Sequence, residues 1–135
     1  MSTQVQTLPR LDPHFIYGFD ALGSLALGMA LLVTATPLTG LAGWALPPAF
    51  LWIIGLLLLP WAAFNLWIAR KARPAPGLIA ANIIGDIAWI GGTAALAAIH
   101  APTLSGLGLA MLVGQGVAVG GVLLLKLLGR AELAA

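Results

Sequence analysis

The chain contains no cysteine, which excludes disulfides, thiolate metal sites and thiol nucleophiles together. It is almost as poor in charge. Six basic and four acidic side chains make up 7% of 135 residues, against about 25% in a water-soluble domain. A surface that bare would aggregate in water, so lipid must cover most of it. The two histidines, His14 and His100, fall on opposite sides of the membrane in the topology derived below. They cannot share a metal ion, and no other ligand cluster is present. No Ser-His-Asp set, phosphate loop or nucleotide fingerprint occurs, so no catalytic residue is assigned, no cofactor is expected, and the chain reads as a non-enzyme. The net charge of +2 is orientation charge with weak attraction for anionic headgroups, and implies no nucleic acid.

What the chain has is apolar length: 61% of its residues are hydrophobic. Spans are expected over residues 15–36, 49–69, 78–99 and 104–128, each long enough for a hydrocarbon core of about 30 Å. Arg10, Arg70, Lys71, Arg73, Lys126 and Arg130 all fall on one side of those spans, and the opposite joints carry no charge. Basic residues stay cytoplasmic during insertion, which puts both termini inside. Residues 1–14 are then a cytoplasmic tail and residues 129–135 a second one. Lys126 and Arg130 are expected to reach the inner headgroups. Joints this short make sequential neighbours antiparallel, so the expected fold is all-α, a transmembrane up-down-up-down four-helix bundle. A β-barrel is excluded because runs such as Leu56 to Leu59 do not alternate apolar with polar. A cleaved signal peptide over the first span is disfavoured by Asp12 and Asp20 and by the length of the apolar stretch.

A shift of 66 residues lays Asp20 on Asp86, Gly40 on Gly106 and Gly55 on Gly121. That pattern describes a 2+2 internal duplication, a parallel repeat about an axis along the membrane normal.

Asp20 and Asp86 are the acidic residues within spans, where a charge costs about 2.5–3.5 kcal/mol on insertion scales. Asn82, Asp86, Trp89 and Thr93 share one face of the third span; Tyr17, Asp20, Ser24 and Gly28 share one face of the first. The stripes can converge with Asn65 between them, Asp86 being the deepest acid. Two readings follow. The groups hydrogen-bond one another and hold the bundle together. Alternatively, Asp86, Asp20, Asn82 and Asn65 form a proton or cation site walled by Trp89, as in a small proton-coupled transporter or binder of a lipophilic cation. On the fourth span, Gly116 and Gly120 are expected to give close helix packing, inside the bundle or at a seam with another copy or another membrane protein. Trp67 reads as an interfacial anchor, Trp61 and Trp89 as core filling.

Pro60, the loop from Arg70 to Pro76, and Asp86-Ile-Ala-Trp89 resemble the motifs of an uncharacterised group of small bacterial four-span integral membrane proteins. This sequence has Asp86 where that group has asparagine. The resemblance implies a multi-pass protein of the bacterial cytoplasmic (inner) membrane and no known activity. The leading expectation is therefore a structural, accessory or interaction role in the lipid bilayer.

Overall fold

The computed structural model describes residues 11–134; Arg10 and most of the expected N-terminal tail lie outside them. Four helices follow in order: α1 (Pro13–Ala42), α2 (Pro48–Arg70), α3 (Pro76–His100) and α4 (Gly106–Ala134). There is no strand among the described residues. All four are long and apolar enough to cross a membrane.

Proline opens three of the helices. Pro13, Pro48 and Pro76 occupy the first helical turn, where the missing N–H removes no helical bond and the fixed φ suits entry. Asp12 caps α1, accepting from the His14 N–H at 3.0 Å.

Two helices outrun their expected limits. Pro37 does not end α1, which continues to Ala42. A membrane helix tolerates a proline where nearby hydroxyls and neighbouring helices re-satisfy the backbone. Thr34 Oγ1 donates to the Ala30 carbonyl at 2.6 Å and Thr39 Oγ1 to that of Ala35 at 2.7 Å, adding side-chain bonds to the turns on either side of Pro37. The real stop is Gly43 at φ 65°, with its own N–H on the Gly40 carbonyl and the Trp44 N–H on that of Thr39. At the other terminus, α4 continues helically through residues 129–134 of the expected tail. Nothing there breaks α4, and Leu133 is buried with Tyr17, Ile68, Ile79 and Ile83.

The bundle is inverted relative to a soluble protein. Val33, Leu128, Val117, Ile99 and Leu22 stand exposed, while Ser24, Asn65, Asn82, Asp86 and Lys126 are buried. This is the pattern expected where hydrocarbon is the solvent and polar groups must satisfy one another inside.

Residue pairs give the helix directions. α1 and α2 run antiparallel, with Gly18 beside Ala69 and Gly28 on Gly55. α3 and α4 do the same, with Asp86 near Lys126 and Thr93 on Gly116. α1 and α2 cross closely at Gly28–Gly55, where a Cβ on Gly55 would lie 2.8 Å from the Gly28 carbonyl oxygen. α2 touches α3 over only a short stretch, where Trp61 lies on Gly85 and Asn65 meets Asn82.

The two ends differ chemically. Arg70, Lys71, Arg73 and Arg130 are exposed at one end, where His14 Nε2 lies 2.8 Å from the Lys71 carbonyl oxygen. The other end carries no formal charge. There Ser105 Oγ donates to the Leu41 carbonyl at 2.8 Å and accepts from the Gly108 N–H at 3.0 Å, closing α1 and opening α4 with one hydroxyl.

Candidate functional site

Lys126 is not at the headgroups. It is 1% exposed, at the centre of the polar interior. Its place in the run Leu123-Leu124-Leu125-Lys126-Leu127-Leu128, two turns before the end of α4, puts it too deep to reach out, and the acids of the other helices draw it in.

Its ammonium meets one or more groups from each of the other three helices. Lys126 Nζ lies 2.6 Å from Asp20 Oδ2 on α1 and 2.7 Å from Asp86 Oδ2 on α3. It also lies 2.8 Å from Asn82 Oδ1 on α3 and 3.1 Å from Asn65 Oδ1 on α2. The amides are held in turn. Asn82 Nδ2 donates to Asn65 Oδ1 at 3.2 Å, and Asn65 Nδ2 donates to the Trp61 carbonyl at 3.0 Å. Ser24 Oγ donates to Asp20 Oδ1 at 3.3 Å. The Tyr17 and Trp61 rings close the ammonium from two sides, their centroids 4.9 and 5.8 Å from Nζ.

Asp20, Asn65, Asn82 and Asp86 therefore come together, but around a protein cation. Asp86 is not appreciably deeper than Asp20, because both carboxylates reach the same nitrogen. The 66-residue shift thus pairs two residues with a common partner. It does not pair the helix crossings, since Gly121, the counterpart of Gly55, meets nothing within 4 Å.

Trp89 belongs to a second network, farther from the basic end. Its Nε1 donates to Gln115 Oε1 at 2.7 Å, and Gln115 Nε2 donates to Thr93 Oγ1 at 2.9 Å and to the Leu112 carbonyl at 3.0 Å. Gly116 packs on the Thr93 methyl, but Gly120 faces open space, so α4 makes no close contact there. The close contacts of the bundle are instead Gly28 on Gly55, Gly108 on the Ala42 backbone and Gly85 beneath the Trp61 ring. Trp67 stands exposed beside Lys71, whose Nζ lies 5.1 Å from its ring centre at the basic end.

Sequence reasoning missed Lys126 as a site residue. The signal was available: a lysine flanked by leucines, in a chain with two acids in other spans that each need a partner.

The arrangement defines a class: a small multi-pass helical membrane protein with a buried charge cluster at the junction of its four helices. Comparison with protein families, curated proteins and solved structures finds no match that would narrow the class further.

Proposed function

We propose that this chain is a non-enzymatic protein of the bacterial cytoplasmic membrane, structural, accessory or interacting in role, with its four spans clamped by Lys126. It crosses the bilayer up-down-up-down with the Arg70–Arg73 joint and both termini inside, in keeping with the positive-inside tendency. The observation that carries the reading is the convergence of Asp20, Asn65, Asn82 and Asp86 on one ammonium. The position a cationic substrate would take is held by the protein's own lysine. Interactions with a second copy or another membrane protein would use the outward small residues of α4, Gly114, Gly120 and Gly121, each with open space around it.

A second reading has its own support. With both carboxylates ionised the cluster carries one positive and two negative charges. One proton or one small cation would make it neutral, which a low-dielectric site favours. The Tyr17 hydroxyl is buried and has no partner among the described residues. In this reading Asp20 and Asp86 bind a proton or a cation that displaces Lys126.

Thermal unfolding in detergent separates the two. The structural reading expects Asp86→Asn to unfold close to wild type, because the amide keeps a hydrogen bond to Lys126. It also expects no added cation to raise the melting temperature between pH 5 and 9. Cation-dependent stabilisation of wild type that is lost in Asp86→Asn overturns the structural reading in favour of the second.

A further inference from the structure

Beyond the charge cluster, toward the uncharged end, the four helices line a cavity of about 480 Å³. Its walls include Leu27 and Leu31 on α1 and Leu57 on α2, with Ala88 and Gly92 of α3 and Leu112 of α4 opposite. The volume is that of a small-molecule site. The lining is apolar, and its polar members Trp89, Gln115 and Thr93 already satisfy one another.

The cavity is long in one direction. On α1 the lining runs from Leu27 to Ala42, and on α3 from Gly85 to Leu96, roughly 16–22 Å along the helix axes at 1.5 Å per residue. Its side is open. α2 and α3 meet only toward the basic end, through Trp61 on Gly85 and Asn65 with Asn82. Lining residues beyond that point stay exposed, Leu57 at 58% and Met111 at 43%. Around a membrane protein the medium at this opening is lipid chains, which lie along the same axis. At the uncharged end the lining includes Trp44, whose Nε1 is buried without a hydrogen-bond partner among the described residues. A buried indole N–H wants an acceptor.

We propose that this cavity is a binding site for one acyl chain of a bilayer phospholipid, entering between α2 and α3, with its ester carbonyl accepting from Trp44 Nε1. A chain fits the elongated apolar walls, and the unmatched Trp44 donor of the lining stands at interfacial depth, where an ester carbonyl lies.

The test is photolabelling of the full chain in maltoside micelles, titrated with phosphatidylcholine carrying a diazirine in one acyl chain. Wild type labels Ala88 and Leu112 saturably. Outward Val33 and Val117 label without saturation, in proportion to probe. Gly92 lines the cavity and an added Cβ there meets nothing within 4 Å, so Gly92→Phe fills the space without a backbone clash. It abolishes the saturable labelling. Gly91→Phe, at an exposed neighbour outside the lining, leaves it unchanged. Trp44→Phe keeps an aromatic wall and removes the donor, raising the titration midpoint about fivefold. Circular dichroism and the Val33 and Val117 labelling report that each variant is folded; if Gly92→Phe is not, Gly92→Leu takes its place. Non-saturable labelling of the lining overturns the proposal, as does a folded filling variant that labels like wild type. A wild-type midpoint in Trp44→Phe overturns the carbonyl contact. A dimer lost in Gly92→Phe, with no labelled lining, assigns the cavity to a second copy instead.

Discussion

Lys126 Nζ and Asp20 Oδ2 lie 2.6 Å apart although 106 residues of chain separate them. The lysine is fully buried, while Asp20 keeps 15% of its side chain exposed. The contact joins the first helix to the last and orders the middle two through Asn65, Asn82 and Asp86. Removing the lysine would leave buried carboxylates without a counter-charge.

Lys126→Met is expected to lower the unfolding free energy by about 3–5 kcal/mol, because breaking one side of a buried ion pair strands the other. The triple variant with Asp20→Asn and Asp86→Asn added should recover most of the loss, since it removes the charges and does not merely unpair them. Equilibrium unfolding of the detergent-solubilised protein in a denaturing detergent measures both. Equal stability of wild type and Lys126→Met would show that the cluster does not clamp the bundle.

Gly55→Leu should destabilise by about 1–3 kcal/mol, because the added atoms meet the Gly28 backbone, which has no rotamer to give way. Gly120→Ala, with nothing near its Cβ, should be neutral or stabilise by up to about 1 kcal/mol through helix propensity. The same unfolding assay ranks the two. A larger loss at Gly120 than at Gly55 would mean that α4 is packed against something outside this chain.

Gln115→Leu removes the partner of both the Trp89 indole and the Thr93 hydroxyl. The Trp89 N–H loses its acceptor and the Thr93 hydroxyl oxygen loses its donor, together a cost of about 1–3 kcal/mol. Tryptophan emission supplies an independent readout, since the Trp89 N–H loses its acceptor. Unchanged emission and stability would place Trp89 outside this network.

The start of α1 should loosen in acid. The Asp12 carboxyl is held below its ordinary value of 3.8, first by the His14 backbone N–H and then by the His14 ring. A lowered folded-state pKa means that the capping contribution is present above 3.8 and is lost as pH falls through the lower folded value. The protection of the Phe15 and Ile16 amides, which bond to the Asp12 carbonyl at 3.0 and 3.3 Å, measured as hydrogen exchange relative to the intrinsic rate at each pH, should be high at neutral pH and drop below pH 3.8. Asp12→Ala should lower that protection at both. Exchange in Asp12→Ala as slow as in wild type at neutral pH would remove the cap.

Much of this was legible before any coordinates. The four apolar stretches announce four helices because only a helix satisfies its own backbone in hydrocarbon, whatever its neighbours do. The shared faces of Asp20 and Asp86 follow from a 3.6-residue period that needs no tertiary information. Helix ends were less legible. Pro37 is a helix breaker by local rule, yet the helix runs through it because an apolar surround offers the backbone no better partner than the helix itself. Gly43 is the true stop, and its role depends on the positive φ that only the finished turn reveals.

Lys126 shows where local reasoning ended. By position in sequence it belongs with Arg130 at the membrane edge, as a long side chain that can reach outward. Whether it points out or in depends on what the other three helices offer at its depth, and they offer two carboxylates and two amides. The glycines behaved likewise. Gly116 and Gly120 look equivalent on a helical wheel, but one lies on Thr93 and the other on open space.

Composition alone decided the solvent, the helical class and the number of crossings, since these depend on how much of the chain water would reject and on how a backbone satisfies itself in lipid. Which side chains meet across that lipid, and where the helices part to leave a cavity, was decided only by packing. Contacts between residues a hundred positions apart are set by the mutual fit of whole helices, and no local stretch of sequence contains that information.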